Sequence, residues 1–219
     1  MEFLLIIFVI ITVFVIIIAN LSKITFPTVD DVVKQKGIEG EHIVNYYLKA
    51  VDTKGKILNN LYVPTVYGNT TEIDNLFLTR DAIFVIESKN INGAIRGNDE
   101  DEEWESIRDD RTIRFRNPIK QNATHVKYLK KQLKHLIPVY SIIAFNDDAN
   151  LLNIRINNKH IRVMHYYEIA YFIDSELKEE CHFLNVGEFN ITYYHLLKFA
   201  NASDEVKEKH DNYIKERYR

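Results

Sequence analysis

Three residues near the middle of the chain have the types and spacing for hydrolytic chemistry: Asp74 in "EIDNLFLT", and Glu87 and Lys89 in "AIFVIESKN". Both segments read as strands, separated by the turn "TRDA". A strand alternates its faces, so Ile83, Val85, Glu87 and Lys89 share one side and Phe84, Ile86 and Ser88 the other. Asp74 stands in the row of Leu76 and Leu78. If "TRDA" closes an antiparallel hairpin through a two- or four-residue loop, facing positions sum to 161 and Asp74 falls opposite Glu87. Their Cβ atoms would then be about 5 Å apart. Two carboxylates so placed repel unless positive charge lies between them. A hard cation such as Mg2+ (or Mn2+), which keeps several waters and takes one or two protein carboxylates, resolves the conflict. Lys89 could orient or deprotonate a water, or stabilise charge developing on a phosphate. The expected chemistry is phosphodiester cleavage, and the structural alternative is a strand-end ion pair of Glu87 with Lys89 beside an edge aspartate.

The elements that must position these groups follow from periodicity. Asp30, after Pro27 and Thr28, supplies a start signal for a helix running to about Val51, weakened locally by Gly37 and Gly40. On it Glu41 shares a stripe with Val44, Leu48 and Val51, a third carboxylate aimed inward. "LYVPTV" is expected as a strand, "GAIRG" and "RTIRF" as shorter ones, and the acidic run "DEDEEWE" between them as a solvated loop. In "IKQNATHVKYLKKQLKHLI", Ile119, Ala123, Val126, Leu129, Leu133, Leu136 and Ile137 form one apolar helical stripe. Asn117 and Pro118 read as its cap and first turn. Gln121 lies about 120° from the stripe's centre, near His125 and Tyr128, at the border of a cleft. "VYSIIAF" and "IRVMHYY" are further strands, "YEIAYFID" is a short helix or strand continuation, and 190–200 and 203–219 are helical. Gly93 and Gly97 read as strand-end or bulge residues, and His160 and His165 as structural.

The net charge of −3 argues against a protein that coats nucleic acid nonspecifically, but the charges are segregated. Arg111, Arg114, Arg116, Lys120 and Lys127 belong to a basic stretch able to hold a phosphate backbone, the competing reading being a solvated basic surface. The scattered histidines and the single Cys181 offer no zinc pattern and no internal disulfide. The run Phe3 to Ala19 is uncharged, and as a helix spans roughly 25 Å, close to a hydrocarbon core of about 30 Å. With no basic residue before it and Lys23, Lys34 and Lys36 after it, an uncleaved anchor is expected, with the following domain on the cytoplasmic side.

The ordered series "GIEGE", "EID", "FVIESKN", "NGAIRG", Trp104, "NPIKQN" and His125 resembles the nuclease-related domain (NERD) family, whose core is similar to the PD-(D/E)XK or restriction-endonuclease-like fold. The resemblance implies an α/β fold, a mixed β-sheet flanked by α-helices. It implies that Glu41 is the helical glutamate, Asp74 the metal-binding aspartate, Glu87 and Lys89 the (D/E)XK pair, and Gln121 the glutamine of the following helix. Asn75 stands where the family often has His, which leaves the core ligands intact. The expected organisation is an anchor over 1–22, a connector and helix start over 23–36, a nuclease-like core over 37–140, and strands and helices over 141–219 completing the same domain. The expected function is a membrane-anchored, Mg2+-dependent nuclease with DNA as substrate, with Glu41, Asp74 and Glu87 toward the metal. A noncatalytic, membrane-tethered nucleic-acid-binding or interaction module of the same fold is the alternative.

Overall fold

The computed structural model describes residues 29–158, 160–177 and 183–217. The expected anchor, the Pro27–Thr28 helix start and Cys181 lie outside them. Among the described residues no helix is long and apolar enough to cross a membrane. The chain divides into two units, 1–36 and 37–219. Of the first, only the opening of helix α1 (Val29–Lys49) is described.

The second unit is built on two mixed sheets flanked by helices. The larger has the order β1 (Lys56–Pro64), β2 (Thr70–Leu78), β3 (Ile83–Lys89), β7 (Val139–Phe145), β9 (Ile161–His165). The smaller runs β6 (Arg111–Arg116), β5 (Glu103–Arg108), β4 (Gly93–Asn98), β8 (Ala149–Arg155). β1, β2 and β3 are antiparallel neighbours, whereas β7 joins β3, and β9 joins β7, in parallel. A sheet with helices on both faces needs apolar residues on both sides of its central strands, and "AIFVI" provides them. Phe84 and Ile86 pack beneath Val44 and Leu48 of α1 and Ile169 and Ile173 of α3 (Ile169–Glu176). Ile83 and Val85 pack on the other face with Leu76 and Leu78, under Tyr128 and Leu129 of α2 (Pro118–Gln132) and Leu196 of α4 (Val186–Ala200). A final helix, α5 (Asp204–Arg217), lies beside β2.

The sequence expectations need four corrections. The last three residues of "DEDEEWE" open strand β5, because Trp104 is fully buried, parallel to Phe145, and bonded through Nε1 to Asn98 O at 2.8 Å. Gly97 is required beneath that indole, since a Cβ there would lie 2.4 Å from the ring. Helix α2 ends at Gln132 rather than running to Ile137, and Leu136 is 96% exposed. Its buried stripe also differs: Ala123 is exposed while Asn122 and His125 are buried. Finally, 149–155 is a strand; much of it is exposed, so it lacks the apolar alternation that marks half-buried strands.

Candidate active site

The site grows from the β2–β3 hairpin. Thr79 N donates to Ala82 O at 2.9 Å, and the Thr79 hydroxyl accepts from Ala82 N and Asp81 N, closing the turn. That turn fixes the register Leu78 to Ile83, Phe77 to Phe84, Leu76 to Val85 and Asn75 to Ile86. Continued one step, this register sets Asp74 opposite Glu87, and the two carboxylates act on each other electrostatically. Pairing stops there: Ser88 N donates to Asp74 Oδ2 at 3.2 Å in place of a ladder bond. On the other side of Asp74 the β1 ladder is interrupted at Asn60, whose φ is +52°. The sheet therefore opens around Asp74.

Helix α2 lies over this opening because buried side chains pin it. Asn117 caps it, accepting from Ile119 N at 2.9 Å and donating to Asp101 O at 2.7 Å. Asn122 Nδ2 donates to Val85 O and to Ser141 Oγ at 3.0 and 2.9 Å, straddling β3 and β7. Gln121 and His125, on the same helix, then face the carboxylates. Lys89 Nζ donates to Glu87 Oε1 at 2.6 Å and to Gln121 Oε1 at 3.2 Å. His125 Nε2 stands 3.2 Å from Glu87 Oε2 but outside hydrogen-bond geometry, leaving that oxygen buried without a hydrogen-bond partner. Thr71 Oγ1 lies 2.6 Å from His125 Nδ1 and holds the ring in place.

The electrostatics separate the acids. Burial would raise Glu87, but Lys89 and His125 overcome it and hold its carboxyl at about 2. Asp74 goes the other way: burial, then Glu87, push it well above the usual carboxylate range, with Lys89 and Ser88 N opposing. Burial works against the charge on Lys89, yet Glu87 and Asp74 keep its pKa raised. Burial, Glu72 and Glu87 lift Glu41 to about 6. Glu41 approaches from α1, which is brought close by Gly40: a Cβ there would lie 2.7 Å from Tyr166 Oη. Asp74 and Glu87 are the oxygen donors a hard divalent cation would take, and the unpartnered Glu87 Oε2 and repelled Asp74 fit one. Among the described residues no group of three His, Cys, Asp or Glu side chains is placed to share a metal ion, so Glu41 does not complete a ready-made set.

Asp74, Gln121 and His125 line a cleft of about 590 Å3 together with Arg116 and Lys127. The other basic candidates do not line it. Arg111 and Arg114 are exposed on β6, with Arg114 paired to Glu105 at 3.3 Å, and Lys120 is engaged by Glu100 O and Glu102 Oε1. Sequence reasoning missed the roles of His125 against Glu87, of Tyr166, and of α5, whose Tyr213 and Arg217 form part of the cleft wall. For His125 the signal was available, four residues after Gln121 on the same helical face. Tyr166 has a buried hydroxyl without a hydrogen-bond partner, raised by burial and by Asp74, and nothing in its local sequence marks it.

The family model of the nuclease-related domain matches residues 36–146, just over half of the chain. The chain belongs to the NERD family, and placement in the PD-(D/E)XK superfamily is consistent with that. It is also similar to an uncharacterized protein of Bacillus anthracis, 28% identical over 204 residues, covering 93% of this chain and 95% of the relative. No solved structure matches.

Proposed function

We propose that the protein is a Mg2+-dependent nuclease hydrolysing phosphodiester bonds of nucleic acid, with DNA as the expected substrate. The observation that supports this reading is the facing of Asp74 and Glu87 at the end of an opened hairpin, with Lys89 bonded to both Glu87 and Gln121. Asp74 and Glu87 would hold the cation, which when bound supplies Lewis-acid activation of phosphate and water. Lys89 is the group placed to orient the attacking water or to donate to the phosphate oxygen that gains charge. Gln121 fixes the ammonium from the helix side, and Arg116 and Lys127 offer cationic contacts in the cleft. Tethering to the membrane belongs to the same proposal and rests on the apolar run 3–19 alone.

The test is incubation of the full-length protein with labelled linear, circular and single-stranded DNA in Mg2+, Mn2+ or EDTA. Cleavage that needs the metal and disappears in Asp74→Ala, with the fold retained, is the expected result. Removing one of two facing acids relieves repulsion, so the metal-free thermal midpoint of that variant stays level or rises. Asp74→Ala cutting at the wild-type rate would discard the assignment. A second reading, a noncatalytic nucleic-acid-binding module, is favoured by the 2.6 Å engagement of Lys89 with Glu87 and the lack of a three-ligand group among the described residues. Binding without turnover in any metal selects it.

A further inference from the structure

The cleft has a second wall that neither the catalytic residues nor the fold account for. Tyr67 sits at the tip of the β1–β2 hairpin, where Thr65 N donates to Asn69 O and Gly68 turns through φ +77°. It is 80% exposed, far from any core, yet lines the cleft that holds Asp74. A large aromatic ring at a hairpin tip adds little to folding when it stays in water. Tyr213 of α5 lines the same cleft, and the Arg217 guanidinium stands 5.7 Å over its ring while donating to its hydroxyl at 2.6 Å. The hairpin and α5 are tied together: Lys209 Nζ donates to Gly68 O at 3.1 Å, and His210 Nδ1 lies 3.0 Å from the Thr70 hydroxyl.

We propose that this cleft takes single-stranded nucleic acid, with unpaired bases against Tyr67 and Tyr213 and the backbone along Arg116 and Lys127. The inference deepens the nuclease reading and rests on it. A base offers its flat face to an aromatic ring only when it is not enclosed in a duplex stack, and such stacking tolerates every base. At about 590 Å3 the cleft is of the size that holds small ligands, roughly 300–1,000 Å3. A double helix keeps its bases stacked on one another and offers no free base face to these two rings. Single strands can thread it and bring a phosphate to Asp74.

The test measures binding of a fluorescent thymidine oligonucleotide, and of a duplex of equal length, to the full-length wild-type protein in EDTA, which withholds the divalent cation that cleavage requires on the nuclease reading. The single strand is expected to bind at least about tenfold more tightly than the duplex. Tyr67→Ala and Tyr213→Ala each weaken single-strand binding by about ten- to a hundredfold and leave duplex binding unchanged, whereas Tyr213→Phe keeps the affinity. Tyr67 lies outside the core, so its variant reports stacking without loss of fold. Equal affinity for both forms, or unaltered single-strand binding in Tyr67→Ala, overturns the proposal. Tight single-strand binding by a wild-type protein that never cuts defeats the nuclease reading and leaves this one standing. Duplex cleavage as fast as single-strand cleavage does the reverse.

Discussion

The cleft has two walls of opposite construction. Helix α2 is sewn into the sheet: Asn122 is fully buried and bonded to two strands, Asn117 caps its start, and Tyr128 and Leu129 pack on the core. Helix α5 is strongly charged, and among the described residues of that helix only His210 is buried. That ring meets Thr70, stands edge-on to Tyr62 at 5.3 Å, and lies 3.7 Å from Glu72. The difference assigns different duties. Groups that must hold a lysine within hydrogen-bond reach of two partners belong on the rigid wall, and groups that adapt to a passing strand belong on the lightly held one.

The sharpest way to break this comparison is Lys89→Met. If Lys89 orients water or meets developing charge, turnover falls by about two to four orders of magnitude while substrate and Mg2+ affinity stay near wild type. If it only neutralises Glu87, the variant is destabilised, its activity follows the folded fraction, and cation binding tightens because the carboxylates are unmasked. Turnover per folded molecule, measured beside calorimetric Mg2+ binding, separates the two.

Next in size is the contrast between the pins. Asn122→Ala removes a buried donor from Val85 O and Ser141 Oγ and is expected to cost about 1–3 kcal/mol of global stability. His210→Ala should leave the global transition nearly in place but speed amide exchange locally in α5. Equal effects on global unfolding would mean that both walls belong to one cooperative unit, and the division of duties would fall.

What was legible in the sequence follows the same line. The β2–β3 register could be read because a short turn sets it locally. Asn122 could not: a polar residue breaks an apolar stripe, so periodicity put Ala123 on the buried side, where hydrogen bonds to the sheet had put Asn122 instead. Trp104 was hidden by five acids before it, although its ring is what Gly97 makes room for. The α5 wall is beyond local reading altogether, because Tyr213 meets Tyr67 at the cleft only through tertiary docking of a helix that looks merely solvated. For Arg111, Arg114 and Lys120 the composition signalled charge but not that the first two would face away from the cleft and the third would be taken by the acidic loop.

The smallest expected effect concerns the acids grouped around Asp74 and sharpens the comparison from the α1 side. Burial, Glu72 and Glu87 raise Glu41 from 4.5 to about 6, against a hydrogen bond from Asn60. Between those values the folded protein binds more protons than the unfolded chain, so this contribution to stability is fully present below pH 4.5 and is lost as the pH rises through about 6. Asp74, also raised, adds in the same direction. Glu87 acts oppositely: held at about 2, it stabilises the fold above pH 4.5 and the gain disappears as pH falls toward 2. The metal-free melting temperature should therefore climb on acidification from pH 7 to about 4.5 and then drop. Glu41→Gln should flatten the climb between pH 4.5 and 6, leaving the part due to Asp74 and the whole of the acid drop. Mg2+ should flatten it further by replacing protons as the countercharge, with the largest stabilisation near neutral pH, where the acids repel most. An unchanged slope in Glu41→Gln would show that Glu41 lies outside the field of Glu87 and would remove it from the site.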